Sequence, residues 1–302
     1  MSEYGSKEIF TDIKRDAKKK AEEMNLSKLR RKRVIIPTIL GILATLIVIC
    51  VVYTVTYYPA DESVYALLQE QPGSNVTITE SEDRIVFAPE EPVAGLIFYP
   101  GARVQCESYV PLMKELSDEG ILCVLIKMPV NLALFGVNKA DGVFDDFPGI
   151  DHWYIGGHSL GGAMASKYVS EHLDEYEGLI LLGAYSMVDL SGANIKADTI
   201  VNESTAVTGE KVVLSSYTNE HLKDFKVLSI YGTQDGVLNR SNYDKAASLL
   251  PEGSYEVIID GGNHAYFGNY GRQLRDGNPT ITREEQTEWT VMHITEFINR
   301  RF

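Results

Sequence analysis

A run of 25 residues without a charged side chain or a histidine, at 34–58, restricts the fold of this chain more than any other feature. About 20 apolar residues in a helix cross the hydrocarbon core of a bilayer, and the centre of the run reads ILGILATLIVICVVYTV. The basic cluster KLRRKR precedes it, and basic flanks stay on the cytoplasmic side. The run predicts a single-pass anchor in the cell membrane: a cytoplasmic tail at 1–33, a transmembrane helix at 34–58 and an extracytoplasmic domain at 59–302.

Two other interpretations of the run are a cleaved signal peptide and a lipoprotein signal that would lipidate Cys50. The apolar region of a signal peptide is usually shorter and ends in an A-x-A-like site, and no such site precedes Asp61. Ile49 stands where a small residue would precede a lipidated cysteine. The sequence therefore favours an uncleaved anchor.

Charge is unevenly divided between the two ends of the chain. Residues 1–33 carry a net charge of +5, whereas residues 34–302 carry −19. An acidic domain repels polyanions, so we expect no nucleic-acid partner. The three cysteines form no C-x-x-C motif, which disfavours a zinc finger or a thioredoxin-like redox site.

Apolar runs alternate with amphipathic segments after residue 93. Runs such as AGLIFY at 94–99 and ILCVLI at 121–126 are apolar throughout, as strands buried on both faces are. We predict further strands at 153–155, 179–182, 226–231 and 255–259, and helices at 61–69, 107–117, 160–172 and 283–299. This order indicates an α/β fold with a mostly parallel central sheet, helices on both faces, and an antiparallel hairpin of 76–79 with 84–88 at one edge.

The segment GHSLG at 157–161 has the pattern G-x-S-x-G between a predicted strand and a predicted helix. That context is the one in which a serine sits on a strained turn with its hydroxyl exposed, and the residues two before and two after it must be small. We therefore predict Ser159 as a nucleophile. A serine hydroxyl needs a base to accept its proton.

Ligands bind beyond the carboxyl ends of parallel strands, so the base and its acid should directly follow strands. Of the six histidines, His264 meets this condition, in the segment GGNH. Asp235 follows the strand at 226–231 and lies between the serine and the histidine, the chain order of this type of triad. Asp189, after the preceding strand, is the alternative acid.

Two backbone amides should stabilise the oxyanion, one from the residue after the nucleophile, Leu160. The loop YPGAR at 99–103 should supply the second, from Ala102 or else from Arg103. Arg103, Tyr185 and Tyr266 are candidates for the substrate pocket. The long polar stretch at 192–222 is either a small cap over the site or a surface loop.

The motifs FYPGARV, LIKMPVNLALF, GGHSLGGAMA, VLSIYGTQDGV and GGNHAYFGNYG follow one another in this order. Together they resemble the α/β-hydrolase fold family, in its compact bacterial branch related to dienelactone hydrolases. The resemblance implies that Ser159, Asp235 and His264 form a triad that hydrolyses through an acyl-enzyme. Dienelactone hydrolases proper carry a cysteine nucleophile, whereas the corresponding turn of this chain carries a serine.

These features predict a carboxylesterase or lipase-like serine hydrolase that acts on a small-molecule acyl substrate outside the membrane. The expected chemistry needs neither a metal nor an organic cofactor. An acyltransferase would use the same acyl-enzyme, and a non-catalytic scaffold would use the same fold. The sequence does not indicate an oligomeric state.

Overall fold

The computed structural model describes residues 4–69, 75–192 and 225–300, and it divides the chain into two units, 1–56 and 57–302. The first unit is one helix, α1, Tyr4–Val55. Its stretch Lys14–Tyr53 has a mean hydropathy of 2.9 in its most apolar window, and that window is not buried by other residues. The helix is thus long and apolar enough to cross a membrane. α1 contains residues 34–55 of the run predicted to span the membrane, together with most of the basic tail.

The second unit is built on an eight-stranded sheet with the order β1-β2-β4-β3-β5-β6-β7-β8. β1 pairs antiparallel with β2 and β2 with β4, and the neighbouring strands from β4 to β8 are parallel. This confirms the predicted fold class, including the N-terminal hairpin. The strands are β1 Val76–Glu80, β2 Arg84–Pro89, β3 Ala94–Tyr99, β4 Ile121–Ile126, β5 Trp153–His158, β6 Gly178–Leu182, β7 Lys226–Gly232 and β8 Tyr255–Ile259.

Helices cover both faces of the sheet because the central strands bury side chains in both directions. One core cluster joins the sheet to α2 and α6 through residues such as Leu116 and Ile294, and the other joins it to α4 through Met164 and Tyr168. The described helices of this unit are α2 Val110–Asp118, α3 Val143–Asp146, α4 Leu160–Val169, α5 Arg240–Ala246 and α6 Arg283–Asn299. A capping box of Thr282 and Glu285 begins α6.

Three predicted helices are shorter than expected, and one of them, predicted at 160–172, ends at Val169. The stretch at 107–117 divides into a 3₁₀ turn, Cys106–Tyr109, and α2, because Pro111 lies in the first turn of α2, the position where the missing N–H of proline has least cost. The stretch at 61–69 forms only a 3₁₀ turn, Glu62–Ala66.

The carboxyl ends of β3 to β8 meet at one edge, and the segments that follow them lie there together. Tyr58 joins this edge through a parallel bridge to Val104. Cys106 also lies there, with its thiol 3.7 Å from the Ile126 carbonyl, whereas Cys123 sits three residues earlier in β4, or about 10 Å along the strand. Both thiols are free.

Candidate active site

Ser159 occupies the turn between β5 and α4 with φ 54° and ψ −125°. A positive φ is strained for a residue other than glycine, and such strain clusters at functional sites. A Cβ on Gly157 would lie 2.6 Å from the Gly161 carbonyl carbon, and one on Gly161 would lie 2.1 Å from the Tyr99 carbonyl oxygen. Only glycine fits at both positions, so the two small neighbours allow the sharp turn that exposes the serine.

His264 and Asp235 form a hydrogen bond at the same edge. His264 Nδ1 lies 2.8 Å from Asp235 Oδ2, and both side chains are 1% exposed. Asp235 Oδ1 accepts two further bonds, from the amides of Val237 at 2.9 Å and Leu238 at 2.8 Å. Because these bonds fix the carboxylate, the carboxylate fixes the imidazole with Nε2 available for proton transfer.

The bond between Ser159 and the base is not made in this structure. His264 Nε2 is buried and has no hydrogen-bond partner in the described part of the chain. A buried polar atom without a partner requires an explanation, and catalysis is one. Catalytic hydrogen bonds are often long before substrate binds and shorten in the complex, so this geometry is compatible with a triad.

Asp189 and the other described histidines, except His158, make their contacts elsewhere. Asp189 is exposed and accepts bonds from the amide and hydroxyl of Ser191, as a turn residue does. The remaining described histidines have local contacts: His152 with Glu177, His172 with the Tyr168 carbonyl and His293 with Glu296. His221 lies outside the described residues.

The amides of the loop after β3 differ in their partners. The Gly101 amide donates to the Tyr109 hydroxyl at 3.0 Å, and the Arg103 amide donates to the Asn131 carbonyl at 2.7 Å. The Ala102 and Leu160 amides have no acceptor within the described ranges. The geometry therefore favours Ala102 over Arg103 as the partner of Leu160 in an oxyanion hole.

His158 has a structural role that sequence reasoning missed. It is fully buried, its Nδ1 lies 2.7 Å from the Tyr109 hydroxyl, and its ring centre lies 4.4 Å from that of His264. Burial lowers the pKa of His158 well below its usual value, and the neighbouring His264 lowers it further. A neutral His158 thus packs against the face of His264. Through Tyr109 it also supports the loop after β3 at Gly101.

Two buried polar side chains that no sequence motif indicated fix the loops that carry Asp235 and His264: Asp276 joins the two loops, and Gln286 joins the His264 loop to α6. Asp276 accepts bonds from the amides of Gly236 at 3.2 Å, His264 at 3.2 Å and Ala265 at 2.8 Å. Gln286 on α6 pairs with both backbone groups of Asn263, at 3.0 and 2.8 Å.

Gly183, directly after β6, packs against the hydrogen bond between the acid and the base. It has φ +51°, and a Cβ there would lie 2.9 Å from His264 Nδ1 and 3.1 Å from Asp235 Oδ2. A side chain at this position would displace the pair, which explains why the chain has glycine here.

The three residues predicted to line the substrate pocket lie in different surroundings. Arg103 is half-buried, with its guanidinium 5.8 Å from the Tyr58 ring. Tyr266 follows His264 directly, and the Arg283 guanidinium lies 4.9 Å from its ring. Tyr185 lines a cavity of about 300 Å³ that the catalytic candidates do not line.

Two further expectations concern the predicted cap and a metal. The stretch at 192–222 lies, apart from its first residue, outside the described residues. Across 4–69, 75–192 and 225–300, the structure contains no group of three or more His, Cys, Asp or Glu side chains that could hold a metal ion.

Comparison with known proteins assigns the chain to a family. The model of the alpha/beta hydrolase family matches residues 95–213 and 201–288, which is more than half of the chain. The protein therefore belongs to the alpha/beta hydrolase family. A comparison with curated proteins finds no match.

Solved structures with similar folds are 12–16% identical to this chain. A carboxylesterase from Bacillus subtilis is 13% identical, with a TM-score of 0.46 over 78% of this chain and 95% of that one. A monoglyceride lipase from Saccharomyces cerevisiae is 13% identical, with a TM-score of 0.48 over 76% and 97%. A putative lipase from Acinetobacter baumannii is also 13% identical, with a TM-score of 0.49 over 80% and 98%.

Proposed function

We propose that this protein is a serine hydrolase that cleaves a carboxylic ester or a related acyl compound with a triad of Ser159, Asp235 and His264. One observation carries the proposal: a buried His264–Asp235 hydrogen bond of 2.8 Å lies at the sheet edge where Ser159 occupies a strained strand-to-helix turn. Family membership supports the same chemistry. The motifs cited above support placement in the branch related to dienelactone hydrolases, with serine in place of their cysteine.

The reaction proceeds in two balanced steps. Ser159 Oγ attacks the acyl carbon while its proton moves to His264 Nε2, and the ester C–O bond breaks as the alcohol takes that proton. Water then attacks the acyl-serine, gives a proton to Nε2 and releases the acid as Ser159 recovers its proton. The amides of Leu160 and Ala102 donate to the oxyanion in both steps, and Asp235 stabilises the imidazolium.

The helix α1 would hold the enzyme in the cell membrane as a single-pass anchor. Its apolar run has the length of a membrane span, and KLRRKR on its N-terminal side favours a cytoplasmic N-terminus. The tail at 1–33 would then be cytoplasmic. The second unit, 57–302, which we call the catalytic unit, would face outward.

A covalent probe tests the proposed chemistry. A fluorophosphonate should label the wild type but not Ser159→Ala, and the variant should lose hydrolysis of a short p-nitrophenyl ester while it stays folded. A wild-type protein that stays unlabelled would contradict the proposal and favour a non-catalytic scaffold. Product analysis with an added alcohol or amine would distinguish hydrolysis from acyl transfer, because both use the same acyl-enzyme.

A further inference from the structure

The backbone of Arg103, next to the proposed oxyanion donor, ties two segments to the active-site edge. Its amide donates to the Asn131 carbonyl at 2.7 Å, in the loop after β4. Its carbonyl accepts from the Tyr58 amide at 2.6 Å, and the Gln105 amide donates to the Tyr58 carbonyl at 3.0 Å. The loop after β3, residues 99–103, which we call the oxyanion loop, therefore lies between the loop after β4 and the first residues of the catalytic unit.

The loop after β4 exposes three apolar side chains, which we call the apolar tip: Val130 at 51%, Leu134 at 58% and Phe135 at 61%. Their neighbours Leu132 and Ala133 are buried in the core. The loop is thus anchored from within while it presents large apolar groups to its surroundings, a feature that marks interaction sites on soluble domains.

The shape of this loop is set by its backbone. Val130 and Asn131 both have positive φ, 48° and 55°, and this conformation is rare for a β-branched residue. The hydrogen bond from Arg103 holds Asn131 in place. The loop therefore holds an uncommon backbone conformation at the start of the apolar tip.

The charge of the loop differs from that of the rest of the unit. Residues 127–140 contain two lysines and no acidic residue, although residues 34–302 as a whole carry a net charge of −19. Lys127 is paired with Glu80 at 2.6 Å, so Lys139 is the lysine that gives the loop its positive charge. Apolar side chains flanked by lysine are the composition that binds at a membrane surface, where the apolar groups enter the boundary with the acyl chains.

Chain connectivity limits the distance from the anchor to this edge. Three residue steps separate Val55, the last residue of α1, from Tyr58, which is bonded to Arg103. Three residues span at most about 11 Å of chain. The chain therefore enters the catalytic unit at the oxyanion loop, beside the apolar tip, within three residues of the end of α1.

We propose that the apolar tip enters the surface of the membrane that holds α1, and that the substrate is an acyl ester of a membrane lipid. This inference rests on the proposed hydrolase function and names its substrate class. The ester bonds of a lipid lie at the boundary between headgroups and acyl chains, the depth that the tip would reach. A lipid acyl group could then pass to Ser159 without crossing water.

Fluorescence tests insertion without reference to activity. The full chain, with Cys50→Ser and a polarity-sensitive dye on Phe135→Cys, is reconstituted in phosphatidylcholine vesicles, and the matched control carries the dye on Met292→Cys. Met292 is 51% exposed on α6, and Cys106 and Cys123 are buried. We expect a blue-shifted emission, quenched by spin-labelled lipid, at 135 and not at 292. Water-like emission at 135 would overturn the proposal.

Kinetics test the substrate class. The double variant Leu134→Ser/Phe135→Ser should lower the ratio of kcat/KM for dioleoylglycerol in vesicles to kcat/KM for p-nitrophenyl acetate in water by at least about tenfold, because two large apolar contacts with the membrane are lost. Met292→Ser should keep the ratio of the wild type.

An unchanged ratio in the double variant would contradict a role of the tip in lipid recognition. A wild type that cleaves neither ester would contradict the hydrolase function, and the dye at 135 would still report whether the tip enters the membrane. The two failures are therefore distinguishable.

Discussion

At the scale of single residues, the assignment of the acid rests on one short contact. Asp235 bonds His264 at 2.8 Å, whereas Asp189 is exposed and bonds Ser191. Asp235→Asn should keep the fold and lower kcat by about 10³- to 10⁴-fold, because the amide would favour the wrong imidazole tautomer. Asp189→Asn is the matched control and should retain wild-type kcat in a p-nitrophenyl ester assay. The reverse result would reassign the acid.

His158 should make the stability of the protein sensitive to acid. In the unfolded chain it titrates near its usual pKa of about 6.5, whereas burial and His264 hold its pKa well below that value in the folded state. The unfolded state therefore binds the extra proton first, and stability falls as pH drops below about 6.5, by up to about 1.4 kcal/mol per pH unit.

His158→Gln should remove this part of the pH dependence. Unfolding midpoints of the wild type and the variant, measured at several pH values from about 7.5 down to about 5, would show a smaller loss of stability in the variant. Equal acid sensitivity in the two proteins would mean that other groups cause it. The variant should be less active as well, because it loses the ring that packs on His264.

At the scale of elements, Asp235 and His264 lie on separate loops, after β7 and after β8. A third segment holds these two loops together. Asp276 accepts amide protons from Gly236 on one loop and from His264 and Ala265 on the other. The position of Asp235 relative to His264 therefore depends on a side chain that bonds only backbone amides near them.

Asp276→Asn should lower the free energy of unfolding by roughly 2–4 kcal/mol, because its amide offers one acceptor oxygen where the carboxylate offers two and leaves buried donors unpaired. Asp260→Asn is a suitable control, since Asp260 is exposed and bonds only the Thr233 hydroxyl among the described contacts. Urea unfolding would measure both variants. An unaltered midpoint in Asp276→Asn would show that the loops hold their positions without it.

At the scale of the whole molecule, one helix and one catalytic unit define a topology that can be measured. Protease added to intact cells should remove the catalytic unit and spare a tag at residue 1, because a basic cluster such as KLRRKR before a membrane span favours a cytoplasmic N-terminus. A tag at the C-terminus, lost under the same conditions, is the matched control. A protected catalytic unit would reverse the proposed orientation.

Local patterns in the sequence predicted most of the architecture. Strands at 94–99, 121–126 and 255–259 and the helix at 283–299 have the bounds that their patterns indicated. Backbone geometry explains why: continuous apolar runs suit strands covered on both faces, and glycines at 157 and 161 leave room for the turn at Ser159. The positions of Asp235 and His264 after strands were predictable for the same reason.

Tertiary structure decided the contacts that align those residues. Tyr109 meets His158 across 49 positions of the chain, and Gln286 meets Asn263 across 23. No local period or motif indicates such partners, because the side chains become neighbours only when the helices pack on the sheet. The sequence by itself determined which residues stand at the carboxyl edge. Packing determined that Asp235 rather than Asp189 bonds the histidine. Packing also determined that the Ala102 amide, unlike those of Gly101 and Arg103, has no acceptor in the described chain.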